Sequence, residues 1–215
     1  MISSMHCFQA INREECMMLF SPQIGTDRLE LERLCHENID SRTLYAIETD
    51  EKRTVGVYEH IPQSPYSTLK DAQDALDRLE TRWEDGEGAQ YIVRLESSSD
   101  ETGEVIGIAD LYCEWERRTG YLGFIFYRPF WGRGYAGECA EALLPLAFGR
   151  LDLELIALHH QDGNDRSRRA VERIVDRFGG QHDCLLRNWT PIDDYIADEQ
   201  RYTISCDQYQ EATDE

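Results

Sequence analysis

Residues 121–148 constrain the fold of this chain more than any other segment. An apolar run over 121–127 ends at Arg128-Pro129, and a turn with two glycines follows, Trp131-Gly132-Arg133-Gly134-Tyr135-Ala136. The next residues place apolar side chains at helical spacing: Ala136, Cys139, Ala140, Leu143, Leu144 and Ala147. A strand, a glycine turn and a helix in this order present unpaired backbone N–H groups to an anion, at the positive end of the helix dipole.

Two common phosphate-binding patterns fit this turn poorly. A mononucleotide P-loop needs Gly-Lys-Ser/Thr here, and the chain has none. Gly132, Gly134 and Gly137 form a bare G-x-G-x-x-G, but no Asp or Glu closes a second strand about 20 residues later, as a dinucleotide-binding fold requires. A dinucleotide oxidoreductase is therefore disfavoured, while a plain glycine turn before a core helix remains the simplest alternative.

The turn resembles the pyrophosphate-binding motif Q/R-x-x-G-x-G/A of the Gcn5-related N-acetyltransferases, read here as residues 131–136. Trp131 replaces the leading Gln or Arg, which is similar to the branch that acetylates N-terminal alanine or serine of ribosomal proteins. Three more segments resemble that branch in the right order: Thr26–Leu34 (T-x-R-L-x-L-R-x-L), Asn164–Ser167 (N-x-x-S), and Phe178-Gly179-Gly180 followed by Leu185-Leu186-Arg187-Asn188. Together they cover roughly residues 26–206.

The resemblance implies an α+β fold, the three-layer GNAT fold. We expect a mixed, mostly antiparallel sheet of six or seven strands with helices on both faces. Strands are predicted at 27–34, 89–96, 104–116, 121–127, 153–160, 181–188 and 200–208, and helices at 36–48, from an N-cap at Ser67 to Gly86, at 136–148 and at 164–177. The strands at 121–127 and 153–160 should be parallel, joined by a right-handed crossover at about 121–160. Turns are expected at Ser97–Asp100 and Arg117–Gly120.

At 215 residues, one domain is the natural count. We assign residues 1–22 to an N-terminal extension, either a poorly ordered arm or the product of a misplaced start codon, with Met18 as the native start. Residues 23–210 form the single domain, and 211–215 form an acidic tail, with the chain frayed after Asp207.

The charge of the chain predicts its surroundings. The net charge is −20, and only Lys52 and Lys70 are lysines among 22 basic residues. Excess acid with scarce lysine indicates a halophilic protein, although a mildly acidic mesophilic protein is the ordinary alternative. Because the Debye length is about 3 Å in about 1 M salt, an anionic ligand would then be held by short contacts, including nearby arginines (Arg128, Arg133, Arg166, Arg168 and Arg169). The charge disfavours nucleic acid as a partner.

Cysteine usage and hydropathy indicate the cellular compartment of the protein. The chain has seven cysteines and no C-x-x-C, which favours reduced thiols in the cytoplasm over a disulfide framework or a zinc site. No apolar run approaches the ~20 residues of a membrane span, and no secretory signal is visible. We therefore expect a cytoplasmic protein with no metal, and the family resemblance implies a monomer or a homodimer.

The resemblance also implies the ligands and the site. The co-substrate would be acetyl-CoA, with its pyrophosphate on the turn formed by Trp131, Gly132, Arg133, Gly134, Tyr135 and Ala136. The pantetheine arm would pair with backbone groups of Ile125, Phe126 and Tyr127 and approach Asn164. A plain N-cap is the alternative role of Asn164, and one residue could serve both roles. The acceptor would be an amine, of a peptide N-terminus or a small molecule, approaching a loop at 55–66.

Proton transfer is the part of the site that the sequence defines least. Many family members have a tyrosine seven residues after the helix-start Asn, but Val171 occupies that position here, so Ser167 is the candidate acid; its alternative role is to cap the helix. Tyr121 stands where the related branch often has a glutamate. The base candidates are Glu114, Glu116 and His160; Asp110, Tyr112 and His159 have similar positions on strands. Water relayed to bulk solvent is an alternative base, and an acyl-CoA-binding module without catalysis is the alternative function.

Overall fold

The computed structural model of this chain describes residues 18–96, 103–192 and 195–214. Within them, one sheet has eight strands in the order β1-β2-β3-β4-β5-β6-β8-β7. The strands are β1 (Gln23–Gly25), β2 (Leu29–Arg33), β3 (Gly88–Leu95), β4 (Val105–Glu114), β5 (Thr119–Phe126), β6 (Leu155–Gln161), β7 (Gln181–Ile192) and β8 (Tyr195–Ser205). All neighbours pair antiparallel except β5 and β6, which are parallel. The mixed fold and the parallel pair are therefore confirmed, with eight strands where six or seven were predicted.

Six α-helices lie in the described segments: α1 (Ser41–Glu48), α2 (Glu51–Thr54), α3 (Leu69–Glu84), α4 (Tyr135–Pro145), α5 (Asp165–Arg177) and α6 (Cys206–Thr213). Short 3-10 turns cover Tyr58–His60, Trp115–Arg117 and Arg128–Phe130, and a π-helical turn over Leu146–Arg150 extends α4.

Helices cover both faces of the sheet. Strand alternation and register place Asp110, Tyr121 and His159 on one face, and Tyr202 on the other. Arg82 of α3 binds Asp110 with Nη2 to Oδ1 at 2.5 Å, so α3 lies on the first face. The groove beside α5 is lined by Tyr202, so α5 lies on the second face.

Four local predictions differ from the structure. The unpredicted strand is β1, three residues long, too short to show a period in the sequence. Helix α3 is capped by Thr68 rather than Ser67, because Thr68 and Asp71 form a capping box. Strand β5 already begins at Thr119, inside the predicted turn at 117–120. Helix α1 begins only at Ser41, because the Asp40 side chain caps its first turn.

The prediction of a strand to residue 208 and a frayed chain after Asp207 was also wrong. Strand β8 ends at Ser205 rather than 208, because Ser205 and Gln208 form a capping box that starts α6. Tyr209 of this helix packs on Phe148 and Phe178, with ring centroids at 5.1 and 5.8 Å. This packing explains why the chain after Asp207 is a helix and not a frayed tail. The turn predicted at Ser97–Asp100 and most of the N-terminal extension lie outside the described residues, but Phe20 is fully buried against Trp83.

Candidate active site

The glycine turn before α4 presents five consecutive backbone N–H groups. Gly132 and Gly134 have φ of 76° and 82°, a left-handed conformation that glycine adopts at little cost. Gly134 is the N-cap and offers no side chain to cap the helix. The first bonded N–H groups are those of Gly137 and Glu138, both to the Gly134 carbonyl, at 3.1 and 3.3 Å. Within the described segments, the N–H groups of 132–136 have no hydrogen-bond acceptor, which leaves them for an anion.

Glu138 fastens the start of α4 to the loop before β2. Its Oε1 accepts hydrogen bonds from Thr26 Oγ1 at 2.5 Å and from the Arg28 backbone N–H at 2.9 Å. Its Oε2 accepts from Arg28 Nε and Nη2, at 2.7 and 2.5 Å. Arg28 also donates to the Arg133 carbonyl at 3.2 Å and lies 4.9 Å from the centroid of the Tyr135 ring. We call these contacts of Thr26 and Arg28 with Glu138 the Glu138 clamp; they hold the turn in its shape.

Trp131 joins the turn to α5 and to the end of β5. Its indole N–H donates to the Phe126 carbonyl at 2.6 Å. The Arg166 guanidinium stacks on the ring, with Cζ 3.4 Å from the centroid, and Arg128 lies at 5.6 Å. Burial lowers the pKa of Arg166, and the neighbouring charge of Arg128 lowers it further. Because Arg166 Nη2 also donates to the Gly56 carbonyl at 3.4 Å, the predicted acceptor loop at 55–66 lies beside the turn.

The other arginines near the turn divide into two groups. Arg168 is bound by the carboxylates of Asp165 and Glu172 at 3.1 and 3.3 Å. Arg128, Arg133 and Arg169 form no ion pair with a described carboxylate. Of the second group, Arg133 lies in the turn and Arg128 lies against Trp131, so their charges are available to a phosphate there.

Strands β5 and β6 separate beside this turn. Their ladder runs from Thr119 opposite Leu155 to Leu122 opposite Leu158, and stops there. Both strands continue, β5 to Phe126 along β4 and β6 to Gln161 along β8. An opening therefore lies between residues 123–126 of β5 and 159–161 of β6, where the two strands no longer pair with each other. An extended, amide-containing ligand can pair with such strand edges.

The residues predicted to bind pantetheine lie at this opening. Ile125 and Phe126 are half-buried on the end of β5. Tyr127 follows them with its side chain fully buried, and its hydroxyl donates to Glu48 Oε1 at 2.7 Å. Burial raises the pKa of Glu48, although the Tyr127 hydrogen bond and the Arg53 charge act in the opposite direction. Burial and the Glu48 carboxylate together raise the pKa of Tyr127 well above its usual value.

Asn164 and Ser167 lie together at the start of α5. The Asn164 side chain caps the helix by accepting the Ser167 backbone N–H at 3.1 Å. Ser167 is half-buried, and its hydroxyl forms no hydrogen bond with another described residue. The capping role of Asn164 is confirmed, and the Ser167 hydroxyl remains available to a ligand.

Beside the opening, an aromatic and acidic cluster lies on the face of the sheet that α3 also covers. The Tyr121 hydroxyl donates to Glu114 at 3.1 Å, and burial followed by this hydrogen bond raises the pKa of Tyr121. The Tyr121 ring packs edge-on against His159, with centroids 5.8 Å apart. His159 Nδ1 lies 3.0 Å from Glu199 Oε2. Glu116 is exposed on the adjoining 3-10 turn and does not join this cluster.

His160 faces the other side of the sheet. It is only 5% exposed, its Nδ1 lies 2.9 Å from the Gln161 carbonyl, and its ring is 5.6 Å from that of Tyr202. Consecutive residues of a strand point to opposite faces, so the structure brings His159 and not His160 to Tyr121.

Comparison with known proteins shows the family of this chain. Residues 28–174 match the model of the acetyltransferase (GNAT) domain. The chain belongs to the GNAT acetyltransferase family. It is therefore an acyltransferase, as the resemblance of its glycine turn predicted.

Relatives of this GNAT protein include YkkB of Bacillus subtilis strain 168, an uncharacterized protein that is 30% identical over 170 residues, 78% of this chain and 90% of YkkB. The fold is similar to that of RimL, a ribosomal L7/L12 alpha-N-protein acetyltransferase, in complex with coenzyme A; the TM-score is 0.73 at 14% identity, over 86% of this chain and 99% of RimL. It is also similar to the Vibrio cholerae spermidine N-acetyltransferase in complex with CoA and spermine. That TM-score is 0.66 at 18% identity, again over 86% and 99% of the two chains.

Two features of this GNAT site were not predicted. The Glu138 clamp joins residues 110 and 112 positions apart, and only the resemblance of the segment at 26–34 pointed to its two partners. The pair of His159 and Glu199 spans 40 positions, and no local motif marks it, because only the pairing of β6 with β8 brings the two together.

No group of three or more His, Cys, Asp or Glu residues in the described segments is placed to hold a metal ion. None of the helices there is long and apolar enough to cross a membrane.

Proposed function

We propose that this GNAT protein transfers the acetyl group of acetyl-CoA directly to an amine, of a peptide N-terminus or a small molecule. The observation that carries the proposal is the run of five unpaired N–H groups at 132–136 beside the opening between β5 and β6. A pyrophosphate matches the first feature, and the amide-containing pantetheine arm matches the second.

The binding contacts follow from the site. The N–H groups of 132–136 would hold the pyrophosphate, with Arg128, Arg133 and Arg169 neutralising its charge. Backbone groups of 125–127 would pair with pantetheine, and Asn164 would approach it from the start of α5. The pyrophosphate assignment rests on the N–H groups of 132–136, which form no hydrogen bond with another described residue.

The chemistry needs an amine that has lost its proton and a thiolate that gains one. An amine near pKa 8 or 10 is mostly protonated at neutral pH, so the acceptor must be deprotonated before it attacks the thioester carbon. The Ser167 hydroxyl supports a role as the acid, because it is unused at the start of α5, shortly after the end of β6. Of the base candidates predicted from the sequence, Glu114 lies in the cluster beside the opening, where it accepts the Tyr121 hydroxyl.

The acidic composition and the free thiols support a cellular location and a salt concentration for this protein. Few lysines and a net charge of −20 favour a halophilic cytoplasm, and five described cysteines are free. Activity should therefore be measured in molar KCl as well as in dilute buffer, because unscreened repulsion between this acidic chain and an anionic ligand weakens binding in dilute buffer.

Thermal unfolding in molar KCl, titrated separately with acetyl-CoA, CoA, NAD and ATP, tests the ligand. A ligand at about 100 times its Kd adds about 2.7 kcal/mol, which for a chain of this size raises Tm by about 5–10 °C. Shifts with acetyl-CoA and CoA alone support the proposal. A folded protein that shifts with neither contradicts it, and binding without acetylation of any amine in a broad panel would indicate a binding module.

A further inference from the structure

His159 and Glu199 form a hydrogen-bonded pair beside the opening between β5 and β6. His159 is the first residue of β6 beyond its ladder with β5, and Glu199 lies on the adjacent strand β8. The imidazole Nδ1 is 3.0 Å from Glu199 Oε2, and the side chains are 16% and 15% exposed. Glu199 Oε1 also accepts the Thr190 hydroxyl at 2.5 Å, so both carboxylate oxygens are engaged.

The second ring nitrogen of His159 has no partner. Its Nε2 is buried and forms no hydrogen bond within the described parts of the chain. Burial alone raises the pKa of Glu199, but the hydrogen bonds from His159 and Thr190 outweigh it and leave that pKa lowered, so Glu199 is a carboxylate at neutral pH. A carboxylate accepts and cannot donate, so Nδ1 carries the hydrogen and Nε2 of a neutral ring presents a lone pair.

Two aromatic rings pack against the His159 imidazole. The centroid of the His159 ring lies 5.8 Å from that of Tyr121, which packs edge-on, and 6.3 Å from that of Trp189 on β7. Trp189 is 53% exposed, so an entering ligand can displace its ring. Electron-rich ring faces beside carboxylates attract an organic cation such as an alkylammonium.

We propose that His159 is the general base of this enzyme, that Glu199 positions it, and that the acceptor enters as an ammonium ion between Tyr121 and Trp189. The inference rests on the proposed acetyl transfer. One ammonium proton passes to Nε2, and the freed amine lone pair forms the N–C bond to the thioester carbon. The C–S bond breaks, the amide nitrogen loses its second proton, and the departing thiolate takes up one proton. The balance is one acetamide, one CoA thiol and one proton released.

The charged groups around His159 are compatible with this role. On the same face lie Tyr121 and Glu114 with Arg117 on one side, and Arg201 with Asp183 on the other. Arg201 is the direct neighbour of His159 across β6 and β8, but its guanidinium is paired with Asp183. The carboxylate in direct contact with the ring is therefore that of Glu199, which holds Nδ1 and leaves Nε2 for the substrate.

The test compares H159Q and E199Q with a matched pair elsewhere. His36 Nε2 lies 2.7 Å from Asp77 on α3, the same kind of pair in a different place, so H36Q and D77N are the controls. We expect H159Q to lower kcat/KM by about 100-fold or more, with E199Q less affected and both controls unchanged. Binding of acetyl-CoA, followed by thermal shift, should be the same in all five proteins.

The pH dependence separates a base from a merely structural residue. In the wild type, kcat/KM should level off once the imidazole is neutral, because the ammonium form is the substrate. In H159Q, only the free amine reacts, so the rate should keep rising about tenfold per pH unit toward the amine pKa near 10. Equal profiles for wild type and H159Q, or the same change in H160Q instead, would overturn the assignment. W189A should raise KM for the amine about 2–5-fold and leave KM for acetyl-CoA unchanged.

A second measurement does not depend on turnover. Nitrogen-15 NMR of the His159 ring should show the Nδ1–H tautomer in the wild type and lose that preference in E199Q. An Nε2–H tautomer in the wild type would overturn the inference even if no acceptor had been found. Failure of acetyl-CoA to bind would instead contradict the proposed function itself.

Discussion

Replacing Glu138 by Gln should destabilise the chain far more than an equivalent change one turn further along α4. In the wild type, Oε1 accepts Thr26 Oγ1 and the Arg28 N–H, while Oε2 accepts Arg28 Nε and Nη2. The Gln amide oxygen can still accept from Thr26 Oγ1 and the Arg28 N–H. Its NH₂ group then faces the Arg28 guanidinium, and because both groups are donors, no hydrogen bond forms between them. The variant therefore loses the charged half of the Glu138 clamp.

The magnitude follows from burial. Hydrogen bonds to a charged group contribute about 1.5–3 kcal/mol when buried. The Glu138 side chain is 12% exposed but Arg28 is 51% exposed, so solvent screening reduces the expected loss to about 1–2 kcal/mol. For a chain of this size, that loss lowers Tm by about 2–8 °C.

Urea unfolding of the wild type, E138Q and E141Q measures this difference. Glu141 is on the same helix and pairs with Arg177 at the surface, with side chains 50% and 54% exposed, so E141Q should change stability by less than about 0.5 kcal/mol. E138Q should also weaken acetyl-CoA binding, because Arg28 holds the Arg133 carbonyl of the turn. Equal stability of E138Q and E141Q would refute the reasoning.

Three further predictions concern stability and the turn. The folded-state pKa of Glu48 is raised, so its contribution to stability is complete below the unfolded pKa and is lost as pH rises toward the folded value. The free energy of unfolding of E48Q should therefore increase relative to that of the wild type from about pH 4.5 upward. A relative increase that appears only toward acidic pH would have the wrong sign. Y127F removes the donor to Glu48 and should cost about 1–3 kcal/mol at neutral pH, whereas the same unfolding curves would show no loss if that carboxyl were satisfied elsewhere. Gly134→Ala places a side chain at φ 82° and should cost about 1–2 kcal/mol and weaken acetyl-CoA binding by calorimetry. Gly137→Ala, a change into open space, should be neutral or stabilising, and equal losses in both variants would contradict a role for the left-handed backbone.

Local patterns predicted the parts of this protein that local forces determine. The glycine turn and the helix after it follow from residues that are adjacent in sequence, and the turn's resemblance to the family led to the parallel strand pair. The pyrophosphate-binding role of that turn stays a prediction, which the unpaired N–H groups support.

Contacts between residues far apart in the sequence could not be predicted from local patterns. His159 meets Glu199 only because β8 inserts between β6 and β7, and a sequence pattern does not reveal that order. His159 and His160 are equivalent as base candidates in the sequence, but the alternation of the strand places them on opposite faces. The short strand β1 and the helix α6 were missed because tertiary packing and capping, rather than hydrophobic period, stabilise them.

The most direct test of the account is acetyl transfer itself. Purified protein in molar KCl is mixed with acetyl-CoA and a panel of peptide N-termini, alkylamines and polyamines, and both released CoA thiol and acetylated product are quantified. At least one amine should yield the two products in equal amounts, with a rate that depends on amine concentration. Tight binding of acetyl-CoA with no acetylated amine in any arm of the panel would contradict the proposed acetyl transfer.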